Sequence, residues 1–215
     1  LQGYSQKYSK TYYDKFWTLT TKSLAYYSRT GFLDTLNYQY NGVVNDYYVA
    51  TGKLQMTGNY LVNRKNGSFN FYYPDGTLKT EGFYKDNVRV GTWTNYYKNG
   101  RIRDKVLFDD NFVKALSYYD TNGVQKLSNG TGEWQTEYFN DYSFEYIQIE
   151  GNYLNSRKDG VWNFYARQLK GGILGELKLQ LTEKYHKGKF VSGKKFWNDK
   201  ILDQNMPKDN LIRES

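Results

Sequence analysis

A motif of glycines and aromatic residues repeats along this chain at an interval of 24 positions. Residues 67–78 read GSFNFYYPDGTL, and residues 91–102 read GTWTNYYKNGRI. The glycines, the two adjacent tyrosines and the final aliphatic residue keep the same spacing in both segments. A fixed period of this kind indicates a repeat architecture, in which one supersecondary unit packs against the next.

The spacing continues on both sides of these two segments. Tyr48 lies 24 positions before Tyr72, and a shorter copy begins at Tyr26. The longest internal match relates residues 58–72 to residues 151–165, with ten of fifteen positions identical. We therefore expect four segments along the chain: an N-terminal cap or strand at 1–25, regular repeats at 26–107, degenerate repeats with insertions at 108–200, and a tail or short helix at 201–215.

Each copy has the features of a β-hairpin. Residues 69–73 and 77–84 are rich in aromatic and β-branched residues and lack the three-to-four spacing of a helix. Between them, Pro74, Asp75 and Gly76 supply what a type I turn closed by a bulge requires: a preset φ, a capping side chain and a left-handed position. The same turn signal recurs at Gly52, Gly100 and Gly123. The sequence thus predicts an all-β fold of tandem hairpins of about 24 residues each.

The pattern Gly-x-Trp/Phe, then Tyr-Tyr, then Gly-x-Leu and Gly-x-Tyr resembles the MORN-repeat variant family. The resemblance covers residues 26–197 and is most regular between residues 47 and 107. It implies hairpins laid side by side in an elongated, twisted, single-layer antiparallel sheet. Some bacterial members of the family are labelled antitoxin components of toxin–antitoxin systems, and eukaryotic MORN proteins are associated with membrane lipids, scaffolding and dimerisation. The chain departs from the pattern by insertions between Gly132 and Gly151 and between Gly160 and Tyr185.

Composition argues against several chemistries. The chain has no cysteine, which excludes a disulfide framework, a thiolate metal site and a cysteine nucleophile. His186 is the only histidine, so a histidine metal cluster is excluded, and no nucleophile motif lies near it. We interpret His186 as structural, and we expect no enzyme activity, no metal site and no cofactor.

Paired carboxylates are the other catalytic arrangement to consider. A glycosidase requires two acids that face each other across a cleft, and the acids that lie densely in the sequence are Asp109, Asp110, Asp141 and Glu145. An open sheet of hairpins offers no obvious cleft. We therefore interpret these residues as solvated loop acids.

The net charge of +8 is unevenly distributed. Residues 51–107 carry ten basic and four acidic side chains, a balance of +6, and residues 108–150 carry two and eight, a balance of −6. A nucleic-acid interface requires a continuous positive stripe, so this bipolar pattern disfavours nucleic acid as a ligand. Two interpretations remain open: solvated charge on an exposed face, or a surface that attracts an oppositely charged partner or a second copy of the chain.

The aromatic residues are the remaining candidates for a binding site. Strand alternation places Phe69 and Phe71 on one face and Tyr48, Tyr72 and Tyr96 on the other. In one interpretation both sets are structural, one as the core and one as a shield for the reverse face. In the other, Tyr48, Tyr72 and Tyr96 form an exposed platform for a protein, a glycan or a lipid surface.

The leading functional hypothesis is a non-enzymatic scaffold or protein-interaction module that binds a protein partner or itself. The alternatives are a carbohydrate- or lipid-binding module that uses the tyrosine platform, and an antitoxin that neutralises a cognate toxin. No apolar segment approaches the roughly 20 residues needed to span a bilayer as a helix. Because the chain opens at Leu1 rather than at methionine, we expect an exported protein of the bacterial periplasm or cell surface.

Overall fold

The computed structural model describes residues 6–109, 112–140, 143–197 and 200–204. The described residues divide into two compact units, with the boundary between Phe112 and Val113. The strands are β1 (Gln6–Tyr13), β2 (Tyr27–Asp34), β3 (Gln39–Tyr48), β4 (Leu54–Leu61), β5 (Arg64–Tyr72), β6 (Leu78–Lys85), β7 (Val88–Tyr96), β8 (Ile102–Asp109), β9 (Phe112–Tyr119), β10 (Gln125–Ser128), β11 (Thr131–Asn140), β12 (Glu145–Leu154), β13 (Arg157–Lys170), β14 (Ile173–Leu174), β15 (Lys178–His186), β16 (Lys189–Trp197) and β17 (Lys200–Gln204). In the described part of the chain, the single helical element is the 3₁₀ turn Lys22–Leu24.

Both units are sequential antiparallel meanders. In the first unit, each strand from β1 to β7 pairs with the strand that follows it, which makes one meander of β1 to β8. In the second, the strands from β9 to β17 pair in the same sequential way, except that the short β14 adds to the end of β13 while β13 also pairs with β15. The prediction of an all-β fold of tandem antiparallel hairpins is confirmed.

The predicted bulged turns are present. At the turn between β5 and β6, the Tyr73 N–H donates to the Thr77 carbonyl, and the Gly76 N–H donates to the Tyr73 carbonyl, each at 2.8 Å. Gly76 has a φ of +88°, and Asp75 Oδ1 accepts the Thr77 N–H at 2.9 Å. Glycine at a left-handed position avoids the steric cost that a Cβ would bring there.

A second kind of turn was not recognised in the sequence. The segment between Tyr84 and Gly91 reads as a connection, but it contains a two-residue hairpin turn at Asp86 and Asn87, with φ of +50° and +69°. Positive φ at both central residues defines a type I′ turn, whose twist matches that of the flanking strands. Equivalent turns lie at residues 62–63 and 155–156. Each repeat therefore contains two strands and two turns, one turn of each kind.

The type I′ turns also connect each repeat to the repeat before it. The Asn87 N–H donates to the Lys65 carbonyl at 3.0 Å, and Asn87 Oδ1 accepts the Lys65 N–H at 2.7 Å. Asn63 makes the same pair of hydrogen bonds with Tyr40, at 3.1 and 2.7 Å. The turn between β6 and β7 is thus bonded to β5, and the turn between β4 and β5 is bonded to β3. These bonds hold successive hairpins in a fixed register.

The core is built from rings that lie directly on glycines. Phe69, Trp93 and Trp162 are completely buried. A Cβ added at Gly58, Gly82 or Gly151 would overlap the ring of Phe69, Trp93 or Trp162, respectively. Neighbouring tyrosines then contact the ring edges, as Tyr84 does with both Phe69 and Trp93 at centroid distances of 5.0 and 4.9 Å. Edge-to-face pairs of this kind are favourable beyond the area that they bury.

Cationic side chains cover these rings on the inner face. The Lys65 ammonium lies 4.7 Å from the Tyr84 ring centroid, and the Arg89 guanidinium lies 4.3 Å from the Trp93 centroid. In the second unit, Lys158 takes the equivalent position, 4.4 Å from the ring of Tyr185. Cation–π contacts and the apolar stems of these long side chains shield the rings from water.

The N-terminal segment is attached through one arginine. Arg29 on β2 donates two hydrogen bonds of 2.8 Å to the carboxylate of Asp46 on β3. Its guanidinium carbon also lies within 5.5–5.6 Å of four ring centroids, those of Tyr13, Trp17, Tyr40 and Tyr60. Because a bidentate and stacked guanidinium is geometrically specific, this centre fixes β1 and the loop that follows it on the repeats.

Two terminal predictions have different outcomes. Residues 6–13 form β1, as the N-terminal strand interpretation predicted. Residues 201–204, expected as part of a tail or a short helix, belong instead to β17, because their register with β16 satisfies their backbone groups. The rest of the predicted tail, residues 205–215, lies outside the described residues, and the four-segment division of the chain stays a prediction.

We predict that Gly82→Ala lowers the free energy of unfolding by about 1–3 kcal/mol, because the added methyl group must displace the Trp93 ring. The matched control is Thr92→Ala, an exposed site on β7, for which we expect a change within about 0.5 kcal/mol. Urea denaturation followed by tryptophan fluorescence measures both. Equal stability of Gly82→Ala and wild type would contradict the ring-on-glycine packing.

Candidate functional site

The three tyrosines predicted as a binding platform do not occupy equivalent positions. Tyr72 pairs with Leu78 and Tyr96 pairs with Ile102. The residue that pairs in the same way in the preceding repeat is Tyr47, opposite Leu54, and not Tyr48. The expected ladder is therefore corrected: the structure places Tyr47, Tyr72 and Tyr96 in register and moves Tyr48 out of it.

The physical reason is an extra residue in the first loop. The Tyr48 N–H donates to the carbonyl of Lys53, five residues later, whereas the Tyr73 N–H donates to that of Thr77, four residues later. Aligning the two turns by Gly52 and Gly76 hides this difference, because the extra residue lies before the glycine. Tyr48 is therefore the structural counterpart of Tyr73.

The hydroxyls of Tyr48 and Tyr73 link consecutive hairpins. Tyr48 donates to the Tyr72 carbonyl at 2.9 Å, and Tyr73 donates to the Tyr96 carbonyl at 2.8 Å. Both side chains are half-buried, and burial raises the pKa of Tyr48 to about 12. A hydroxyl that bonds a backbone carbonyl of the next repeat has a structural role.

Tyr96 makes a different contact, which recurs in the second unit. Its hydroxyl donates to Glu81 Oε1 at 2.5 Å, and Tyr165 donates to Glu150 Oε1 at 2.9 Å. Partial burial, together with the bond to Glu81, raises the pKa of Tyr96 to about 12. The sequence indicates this contact by its spacing. Glu81 and Glu150 directly precede the glycines that lie under core rings, and Tyr96 and Tyr165 each follow a core tryptophan by three positions.

An exposed apolar surface lies on the opposite side of the first unit from the core rings. Phe32, Val43 and Phe83 each adjoin a buried residue in the same strand, so strand alternation directs them to the outer face. We call these residues and Tyr8, which pairs directly with Phe32, the outer apolar row. Their exposed fractions are 57% for Tyr8, 48% for Phe32, 58% for Val43 and 55% for Phe83.

The outer apolar row is a candidate binding surface. The rings of Tyr8 and Phe32 meet edge to face at a centroid distance of 5.4 Å, so two members of the row already form a continuous aromatic area. Contiguous exposed apolar area is typical of interaction sites. Val43 lies on the strand next to Phe32, whereas the exposed Asn59 and Ser68 lie between Val43 and Phe83. This row was not predicted from the sequence, although strand alternation next to Gly31 and Gly82 indicates the outward direction of Phe32 and Phe83.

The predicted structural role of His186 agrees with its surroundings. Its Nδ1 atom lies 3.6 Å from Asp159 Oδ1, and its side chain is exposed. Asp159 also accepts the Lys187 N–H at 2.9 Å, so this carboxylate caps the turn between β15 and β16. The pair lies at a hairpin end, with the imidazole directed to solvent.

The described residues include two of the four candidate acids. Asp109 ends β8 in the first unit and Glu145 begins β12 in the second. Asp110 and Asp141 lie outside the described residues. Within the described ranges, no group of three or more histidine, aspartate or glutamate side chains is arranged to hold a metal ion. No helix in that part of the chain is long and apolar enough to cross a membrane.

Comparison with known protein-family models and with curated proteins gave no match.

Replacing Tyr48 by phenylalanine should lower the free energy of unfolding by about 1 kcal/mol, because the carbonyl of Tyr72 loses its hydroxyl donor. Tyr47→Phe is the matched control, since the Tyr47 hydroxyl makes no hydrogen bond with any described residue, and we expect a change below about 0.5 kcal/mol. Chemical denaturation at pH 7 compares the two. A larger loss of stability for Tyr47→Phe than for Tyr48→Phe would contradict the corrected register. It would indicate that Tyr48 aligns with Tyr72 and Tyr96 and that Tyr47 links consecutive hairpins.

Stability should fall as the pH rises from 10 to 12. Burial raises the pKa values of Tyr48, Tyr60 and Tyr96 from 10.0 to about 12, so between these values the unfolded chain releases protons that the folded chain retains. The stability that the neutral hydroxyls contribute is complete below pH 10 and is lost as the pH passes 12. Tyr60→Phe should show a shallower loss in denaturation measured at intervals across this range; parallel curves for variant and wild type would contradict the assignment.

Proposed function

We propose that this protein is a non-enzymatic scaffold of MORN-like hairpin repeats that binds a protein partner or a second copy of itself through the outer apolar row. The observation that carries the proposal is the division of the first unit into two unlike faces. The inner face covers its rings with its own glycines, tyrosines and cations. The outer face leaves Tyr8, Phe32, Val43 and Phe83 about half exposed.

A protein partner fits the chemistry of this row better than the other ligand classes do. Exposed aromatic and aliphatic side chains on one rigid sheet provide the apolar centre that protein interfaces require. The resemblance to MORN proteins adds support, since that class is associated with scaffolding and dimerisation. Export to the periplasm or cell surface is part of the same proposal.

The glycan or lipid platform has less support. Two of its three tyrosines use their hydroxyls inside the protein, Tyr48 on the Tyr72 carbonyl and Tyr96 on Glu81. The antitoxin alternative depends only on labels given to members of the resembling family.

The double variant Phe32→Ser and Phe83→Ser tests the proposal. Its matched control is Val124→Ser with Val191→Ser, which removes two similarly exposed apolar side chains from the second unit. Sedimentation velocity measures self-association, and cross-linking in bacterial envelope extract followed by mass spectrometry measures capture of a partner.

Wild type and control should show the same self-association or retain the same partner, and the Phe32/Phe83 variant should weaken it at least tenfold. An interaction that survives in that variant unchanged would contradict the proposal, as would a wild-type chain that remains monomeric and retains no protein.

A further inference from the structure

Strand β1 leaves one of its two edges without a partner strand. It pairs with β2 over residues 6–13 in an antiparallel register without a bulge. No other strand pairs with it in the described part of the chain. The unpaired N–H and C=O groups of such an edge are a template for a further strand.

Hydrogen bonds at the end of β1 show which residues face the free edge. The Tyr26 N–H donates to the Tyr13 carbonyl at 2.8 Å, so Tyr13 faces β2, which begins directly after Tyr26. The Thr20 N–H donates to the Tyr12 carbonyl at 2.9 Å from the other side. Backbone groups alternate between the two edges of an antiparallel strand, so three further residues direct theirs to the free edge: Gln6, Tyr8 and Lys10.

The loop that follows β1 covers one end of this edge. The Tyr12 carbonyl is already used by Thr20, and Leu19 forms a bridge with Tyr13. An incoming strand can therefore pair with residues 6–10. This segment contains no proline and no bulge, so its backbone can continue the ladder.

The open segment is complementary to itself in one antiparallel register. A two-fold axis at Tyr8 places Tyr8 opposite Tyr8 of a second copy, which we call the Tyr8 register. Gln6 then lies opposite Lys10, and Lys7 lies opposite Ser9. Lysines on an edge strand normally discourage pairing, since like charges directly opposite each other are destabilising. In the Tyr8 register each lysine is opposite a neutral side chain.

The neighbouring registers are less favourable. An axis at Lys7 places two lysines directly opposite each other. An axis at Ser9 extends the pairing to Tyr12, whose carbonyl already accepts the Thr20 N–H. The Tyr8 register is therefore the one that uses the edge-facing groups of all three open residues.

The Tyr8 register also brings exposed rings together. Tyr8 and Phe32 are about half exposed, and their rings meet edge to face at a centroid distance of 5.4 Å. Opposite residues of a hydrogen-bonded antiparallel pair have Cα atoms about 5.5 Å apart, so the Tyr8 rings of two copies adjoin. Phe32 and Tyr8 of both copies then form one row. Aromatic cross-strand pairs are among the contacts that stabilise a sheet.

We propose that β1 pairs with β1 of a second copy in the Tyr8 register and joins two first units into one continuous sheet. Both copies use the same surface, so the contact closes as a two-fold dimer. The inference deepens the proposed function by naming a second copy as the partner. It rests on that function in one respect, since Tyr8 and Phe32 of the outer apolar row supply the rings, whereas backbone groups supply the pairing.

The variant Lys10→Pro tests the pairing through the backbone. Proline at this position removes an N–H that faces the free edge and leaves the hydrogen bonds between β1 and β2 in place. Lys10→Ala is the matched control, because it removes the same side chain and keeps the N–H. Sedimentation velocity of the full chain measures the dissociation constant of the dimer, and circular dichroism checks that each variant is folded.

We expect wild type and Lys10→Ala to dimerise with similar Kd values below about 1 mM, and Lys10→Pro to weaken dimerisation at least tenfold. A wild-type chain that stays monomeric at about 1 mM would overturn the proposal. Equal dimerisation by Lys10→Pro and wild type would overturn it as well.

Cysteine cross-linking provides a second readout, which also reports the register. The chain contains no cysteine, so an introduced thiol can pair only with another introduced thiol. Opposite residues of a non-hydrogen-bonded antiparallel pair have Cα atoms about 4.5 Å apart, which a disulfide can bridge. Lys7→Cys chains mixed with Ser9→Cys chains in an oxidising glutathione buffer should therefore form a disulfide-linked dimer. Either variant alone should cross-link at least tenfold more slowly, and equal rates would overturn the Tyr8 register.

The edge pairing and the function proposed for the outer apolar row can fail separately. Self-association that depends on Phe32 and Phe83 but is unchanged in Lys10→Pro would overturn the edge pairing alone. Dimerisation that is lost in Lys10→Pro but unchanged in the Phe32→Ser and Phe83→Ser double variant would support the edge pairing and contradict the role of the row.

Discussion

In both units, the hairpins are held together by the packing of an aromatic ring onto a glycine of the adjacent strand. In each unit the rings that form the core are covered by side chains of the same meander. A flat ring can approach a strand closely only where no Cβ intervenes, which requires Gly58, Gly82 and Gly151 at those positions. Tyrosines pack against the remaining edges of the rings, and cationic side chains cover the ring faces. Tyr84 and Arg89 make these two contacts with Trp93. The repeats thus share the same local contacts among a ring, a glycine, a tyrosine and a cation, rather than a continuous apolar segment.

This packing separates the two faces and so determines which side chains are exposed. Rings, glycines and cations occupy the inner face of each unit, which leaves the alternate positions of every strand to the outer face. In the first unit those positions include the outer apolar row, and in the second they include a polar groove between β11 and β13. The two surfaces differ in chemistry because the side chains of the outer face are not required for the core. The chemistry of the outer face can therefore vary from repeat to repeat while the inner contacts stay fixed.

Periodicity predicted the fold class and the bulged turns, because both depend on local spacing such as that from Tyr73 to Gly76. It failed at Tyr48, where a loop longer by one residue changes the register although the glycines still align. It also missed the turn at Asp86 and Asn87, since neither glycine nor proline marks it. The polar groove could not be predicted at all, because it depends on the cross-strand register of β11, β12 and β13, which no local pattern specifies.

The chemical shifts of the Gly82 α-protons report directly on the packing of the Trp93 ring onto this glycine. A proton held against the face of an indole ring is shielded by the ring current, so a glycine covered by Trp93 must resonate far upfield of a glycine in an ordinary strand. We expect a strong upfield shift in the folded wild-type protein, which Trp93→Leu removes while the β-sheet signature of the circular dichroism spectrum is retained. Gly82 α-protons at ordinary strand values in the folded protein would contradict it.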